Sequence, residues 1–178
     1  MYVFPLHFFG IFRMINYLFL FLLKISVNED RIAVPISGPG GKLAIFETKR
    51  PGRIAADVMP FLINGTTVLD FAFDPFDKSR LVAGCDDGFL RIWKIPEGGL
   101  TCQVNKPEIE LVAASDKVQI VKWHPLAQDI LCSVAFDKSV KIWDLNKTEN
   151  GPQIELEVIY KSKFLSFSAG TYVGKALL

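Results

Sequence analysis

The chain has 178 residues, with 20 lysines and arginines against 19 aspartates and glutamates, for a net charge of +1. So even a balance supplies no strong field to draw nucleic acid or anionic lipid to the chain. The odd number of cysteines (Cys85, Cys102, Cys132), without Cys-x-x-Cys spacing, argues against a disulfide framework, and the two histidines, His7 and His124, leave too few ligands for a metal site or a nucleophile–base pair.

Residues 1–24, MYVFPLHFFGIFRMINYLFLFLLK, hold six of the fifteen phenylalanines and two charges, Arg13 and Lys24. They inflate the hydrophobic fraction of 50%. A secretory signal needs small residues at a cleavage site, and residues 24–30 offer a poor one. A membrane-crossing helix needs about 20 apolar residues. The cleanest run here, residues 17–23, is seven long, and Pro5, His7, Arg13 and Asn16 interrupt any longer window. The reading adopted is an apolar, helix-compatible N-terminal extension foreign to the domain that follows, such as translated non-coding sequence; a true membrane or signal segment competes with it, and a propeller strand is the remaining alternative.

Next come two β-rich runs around a turn. Arg31, Ile32, Ala33, Val34, Pro35 and Ile36 form the first, Ser37-Gly38-Pro39-Gly40-Gly41 the turn, and Lys42, Leu43, Ala44, Ile45 and Phe46 the second. The glycine-rich turn has no following Lys-Ser and no helix, so it does not cradle phosphate. Residues 51–62, following the basic Lys49 and Arg50 and including Arg53, read as the loop leading out of this unit.

Two copies of one pattern follow, fifty residues apart and without a gap: VLDFAFDPFDKSRLVAGCDDGFLRIW at 68–93 and VQIVKWHPLAQDILCSVAFDKSVKIW at 118–143. Val68 matches Val118, Pro75 matches Pro125, Leu81 matches Leu131, Asp87 matches Asp137, and Trp93 matches Trp143. Within the second copy, Val118, Ile120, Val121 and Trp123 make a strand that stops at His124-Pro125, because proline ends ladder pairing. Residues 130–136 are an apolar run suited to a strand buried on both faces. Asp137-Lys138-Ser139 is a tight turn whose carboxylate can accept nearby backbone amides. Val140, Ile142 and Trp143 form a third strand. Outermost strands are expected at 109–112 and 154–158, the latter alternating apolar and charged side chains as an edge strand does. Aligned on its turn, the upstream unit is a further copy, with Leu43 at the place of Leu90 and Ile45-Phe46 at the place of Ile92-Trp93.

A repeat of this period ending in Ile-Trp-Lys or Ile-Trp-Asp is the signature of WD40 propeller blades. The expected fold is therefore all-β: an incomplete WD40 β-propeller of two near-complete blades and part of a third, over residues 25–160. The apolar extension 1–24 precedes it, and an atypical tail, 161–178, follows where the pattern is lost. Such a chain is not expected to close into a monomeric propeller. Rows such as Phe71, Phe73, Val121 and Trp123 are expected to stay partly wet.

One run is more specific. Trp93-Lys94-Ile95-Pro96-Glu97-Gly98-Gly99-Leu100, followed by Val121-Lys122-Trp123-His124-Pro125, resembles the coronin family, whose blades commonly end in Trp-x-Ile-Pro-Glu-x-Gly-Leu and begin with Val-x-Trp-His-Pro. Val34-Pro35-Ile36-Ser37-Gly38-Pro39-Gly40-Gly41 looks like the long, tandem-propeller type. The resemblance covers roughly residues 27–145. It implies a non-catalytic scaffold without cofactors, binding actin filaments or other proteins in cytoskeletal or Golgi trafficking, in the cytoplasm on the cytoskeleton. Many WD40 blades hold a histidine bonded to the turn aspartate; Asn64 and Ala114 stand there instead, so Asp87 and Asp137 are expected to accept mainly local backbone amides.

The structural repeat positions are then Trp93, Trp143, Asp87, Asp137, Pro75 and Pro125. The candidate partner-binding residues are the basic Lys49, Arg50, Arg53, Lys138 and Lys141, which could meet an acidic surface. Asp86-Asp87 and Asp74 with Asp77 read as turn formers rather than catalytic carboxylates. Cys85 and Cys132 read as buried filler. Asn64-Gly65-Thr66 and Asn146-Lys147-Thr148 match the glycosylation sequon, which matters only in a secreted chain. The competing function class is a membrane-anchored or secreted WD-repeat chain, or a product with no independent activity.

Overall fold

The structure is a computed structural model that describes residues 24–49, 60–150 and 154–157. Three antiparallel four-stranded sheets account for them, each a meander of consecutive strands. The first holds β1 (Ser26–Val27), β2 (Arg31–Ile36), β3 (Lys42–Glu47) and β4 (Phe61–Ile63). The second holds β5 (Val68–Phe73), β6 (Arg80–Cys85), β7 (Phe89–Lys94) and β8 (Ile109–Val112). The third holds β9 (Val118–Trp123), β10 (Ile130–Ala135), β11 (Ser139–Asp144) and β12 (Ile154–Glu157), with a 3-10 turn, Leu145–Asn150, between its last two strands. The readings of residues 1–23, 158–178, Arg50 and Arg53 lie outside the described residues.

The repeat is visible in the pairing itself. Leu81 faces Trp93 across β6 and β7, and Leu131 faces Trp143 across β10 and β11. Arg31 faces Glu47 where Arg80 faces Lys94. The upstream unit departs from expectation in one respect. Residues 51–62 were expected to be loop, yet Phe61 and Leu62 belong to β4 and pair with Ala44 and Leu43. The reason is the position: Leu62 is fully buried, and three residues suffice to close the sheet. The upstream unit therefore has all four strands, though β1 is two residues long.

The sheets stack face to face, with their first strands β1, β5 and β9 successively adjacent. Polar bonds stitch these strands together. The Phe73 amide donates to Ser26 Oγ at 3.0 Å, the Val121 amide to Asp70 Oδ2 at 2.8 Å, and the Trp123 indole to the Ala72 carbonyl at 3.0 Å. Asp70 is buried, takes a second amide from Phe71 and is paired with Lys24.

Between the first two sheets lie Ala33, Leu43, Ile45 and Leu62 against Phe71, Phe73, Leu81, Ala83, Cys85 and Trp93. Between the second and third lie Val82, Leu90, Ile92 and Leu111 against Val118, Val121, Leu131 and Trp143. Strand β6 divides by parity, Leu81, Ala83 and Cys85 to one core and Val82 to the other, as side chains alternate along a strand. At Gly84 the third sheet comes so near that a Cβ would lie 2.9 Å from the side chains of Val118 and Val121.

Two expectations are corrected here. Phe71, Phe73 and Val121 are buried, because the neighbouring sheet covers them. Residues 130–136 are not buried on both faces: Leu131, Ser133 and Ala135 are, while Ile130, Cys132 and Val134 are only half-covered and Phe136 is exposed. Only one face of the third sheet meets another sheet among the described residues.

Candidate partner-binding surfaces

The tryptophans at the repeat ends are core residues. Trp93 is 1% exposed and Trp143 2%. Each is packed on the preceding sheet, which is where burial of a large ring stabilises most. Their indole N–H groups are satisfied differently. Trp143 donates to Ser133 Oγ at 2.9 Å, and Trp93 donates to Asn64 Oδ1 at 2.9 Å. Asn64 in turn donates to the Gly41 carbonyl at 2.7 Å. Its side chain is therefore buried and occupied, so the first sequon is closed to modification in the folded chain.

The turn aspartates differ from one another. Asp137 accepts the amides of Ser139 at 2.9 Å and Ser115 at 3.0 Å, with both serine hydroxyls joining them. Burial alone would raise its pKa, but these donors outweigh it and bring it down to about 2. Asp87 accepts one local amide, from Phe89 at 3.2 Å, but is held chiefly by Arg91, whose Nη2 lies 2.7 Å from Oδ2. Burial opposes the charge on Asp87 and the Arg91 guanidinium outweighs it, so its pKa is lowered. The expectation of mainly local amides holds for neither: each accepts one local amide, and Asp137 is held further by Ser115, 22 residues back, as Asp87 is by Arg91. Position 91 is arginine where position 141 is lysine, and Lys141 instead pairs with Glu155 at 3.0 Å.

Pro75 and Pro125 sit in equivalent loops after β5 and β9. Asp74 Oδ1 accepts the amides of Phe76 at 2.8 Å and Asp77 at 3.3 Å. His124 Nδ1 accepts those of Leu126 at 3.1 Å and Ala127 at 2.8 Å. A carboxylate and an imidazole therefore brace the same turn. Each loop presents an exposed apolar tip, Phe76 and Leu126.

Two arginines, at the first positions of β2 and β6, clasp successive sheets. Arg31 is buried; its Nε donates to Glu47 at 2.6 Å, and its Nη1 and Nη2 donate to the carbonyls of Lys78 and Pro96 at 3.0 Å each. Arg80 Nε lies 2.9 Å from Asp74 Oδ2, its Nη2 bonds Asp129 of the third sheet, and its guanidinium lies 5.4 Å from the Trp123 ring centre. Burial disfavours its charge, but Asp129 and Asp74 outweigh that and raise its pKa. Sequence reading missed both arginines; matching their register across sheets would have paired them.

The basic candidates do not converge. Lys49 follows β3, is largely exposed and pairs with Asp30 at 2.8 Å. It edges a cleft between the first two sheets that Asp30, Arg31, Glu47, Glu97 and Gly98 also line. Lys138 is exposed in the β10–β11 turn, at the opposite end of the strands, with φ of 71°. Lys141 is mostly covered. Among the described residues no group of three or more His, Cys, Asp or Glu could hold a metal ion. Burial pushes the Cys85 thiol up to about 11, against nucleophilic use.

Comparison with known proteins places this geometry. The family described as "WD domain, G-beta repeat" matches residues 61–94 and 105–144. Coronin-7 of Mus musculus is 42% identical over 118 residues, 66% of this chain and 13% of that protein. The coronin-like protein crn1 of Schizosaccharomyces pombe is 32% identical over 149 residues, 82% of this chain and 24% of that protein. The crystal structure of the WD40 domain from Toxoplasma gondii coronin superposes with a TM-score of 0.68 at 29% identity, covering 75% of this chain and 34% of that one. The chain thus spans well under a third of the curated relatives it matches.

Proposed function

From the premise that this chain belongs to the WD40-repeat coronins, we propose that it is a binding scaffold whose partner is the actin filament. The reading is supported by the coronin-like run from Trp93 to Leu100, whose tryptophan is buried between two sheets while its Pro96 carbonyl receives Arg31 of the sheet before. That run is part of the joint between sheets, and a rigid stack with charged loops at both ends is how such repeats offer surface to partners. Arg50, Arg53, Lys49 and Lys138 are the cations proposed to meet acidic actin, with Lys141 secondary because Glu155 already holds it. The corresponding location is the cytoplasm, on the cytoskeleton, with Golgi trafficking as the setting that the long coronin type suggests.

Co-sedimentation of the 178-residue chain with filamentous actin tests this. Saturable pelleting that weakens with salt and with Lys49→Glu/Lys138→Glu is the expected result. A chain that stays in the supernatant at every filament concentration overturns it.

A further inference from the structure

We propose that the outer edge of β8 takes an extended peptide from another protein, in the way β4 takes Val104. The loop after β7 returns to the first sheet and lays Val104 parallel to Leu62. The Ile63 amide donates to the Val104 carbonyl at 2.8 Å, and the Val104 amide donates to the Phe61 carbonyl at 2.9 Å. One residue thereby satisfies two outward-pointing groups of a short edge strand.

Strand β8 offers the same two groups. Leu62 lies opposite Leu43 and Leu111 opposite Leu90, at the same place in successive sheets. The Asn64 amide reaches the Gly41 carbonyl as the Ala113 amide reaches that of Gly88. Phe61 and Ile63 therefore correspond to Glu110 and Val112, whose Glu110 carbonyl and Val112 amide point outward. Neither has a backbone partner among the described residues. The connection that would supply one is shorter. Residues 95–108 span the gap between β7 and β8, but only 145–153 span that between β11 and β12, and Leu145–Asn150 are wound into a 3-10 turn. Val112 is 69% exposed, an apolar side chain beside an unpaired edge.

The surrounding charge selects the occupant. Arg91 answers both Asp87 and Glu110, one cation for two carboxylates, and Glu108 stands exposed next to them. The site fits an extended segment with an apolar residue at the Val104 place and lysine or arginine nearby. Strand addition to an exposed edge is a general mode of peptide capture. This site is independent of the actin-facing cations proposed above.

The probe is a fluorescein-labelled peptide of residues 100–107 of this chain, with Cys102→Ser, which carries its own valine and lysine. Titrated into micromolar protein, it should raise anisotropy saturably and slow amide exchange at Val112 without changing Ile63. Methylating the peptide's valine nitrogen removes its donor and should weaken binding about tenfold, the worth of one backbone bond. Val112→Pro in the protein should weaken it as much, and Glu108→Lys should weaken it further at low salt. Should Val112→Pro fail to fold, the methylated peptide against the unaltered chain decides the matter. Equal binding of both peptides, no saturation into the millimolar range, or protection at Ile63 rather than Val112 overturns the proposal. Protection of Val112 that grows with protein concentration before any peptide is added would mean a second copy occupies the edge, and overturns it too.

Discussion

Trp93 and Asn64 are bonded across 2.9 Å, indole N–H to amide oxygen, and join the third strand of the second sheet to the end of the first. One repeat on, Trp143 has Ala113 at the structural place of Asn64 and donates instead to Ser133. The residue of the second sheet that corresponds to Ser133 is Ala83, which has no hydroxyl. The acceptor thus comes from the end of the preceding sheet for Trp93 and from the ring's own sheet for Trp143.

The exchange predicts a rescue. Asn64→Ala leaves a buried indole donor unpaired and should destabilise by about 1–3 kcal/mol. Ala83→Ser on that background should restore part of the loss by supplying the acceptor that Trp143 uses, read as a rise in the denaturant midpoint. Additive losses from the two substitutions would show that the two acceptors are not interchangeable.

Trp143→Ala removes a ring that is 2% exposed and also orphans the Ser133 hydroxyl. The expected cost is about 3–5 kcal/mol. Iodide should quench Trp143 fluorescence slowly in the folded chain, and rapid quenching would place the ring in water.

Asp137 titrates at about 2 in the folded chain against an ordinary 3.8. A lowered carboxylate pKa means the ionised form is preferred when folded. Its contribution is complete above pH 3.8 and is lost as the pH falls through about 2. Asp137→Asn should therefore cost stability at pH 6 and progressively less between pH 4 and pH 2, measured by denaturant melts. Asp137→Ala should cost on the order of 1–2 kcal/mol at neutral pH, as a lost turn cap does. Loss of all folded signal would mean it holds a larger network.

Lys138 carries a φ of 71°, whereas Gly88 fills the corresponding turn of the second sheet with a φ of 83°. A side chain costs about 1–2 kcal/mol there and glycine's greater loss of chain entropy offsets part of that, so Lys138→Gly should stabilise by about 0.5–1 kcal/mol. The same substitution removes one proposed actin contact, and co-sedimentation should weaken while the melting temperature rises.

The half-covered Ile130, Cys132 and Val134 lie on a sheet face that no other described sheet meets. Apolar faces and edges of this kind associate. Size-exclusion chromatography of the purified chain should show species larger than 19.9 kDa. A sharp monomer peak with cooperative thermal unfolding is the contrary outcome.

The amino-acid sequence alone determined the strands, their order and the tryptophan ends, because these rest on local signals: period-2 apolarity, proline at strand ends, aspartate and glycine in turns. It determined too that the units repeat, since Val118 to Trp143 aligns with Val68 to Trp93 without a gap and keeps the proline, leucine, aspartate and tryptophan at the same places. It did not determine that Phe61 to Ile63 form a strand, because three residues carry too little pattern and Leu43 across the sheet supplies the partner. Nor did it separate the half-covered Ile130 from the buried Val82, because both lie in similar apolar strands and differ in whether another sheet lies beyond. The bonds of Arg31, Arg80 and Asn64 were also decided by tertiary structure, since each reaches a partner brought near only when whole sheets stack.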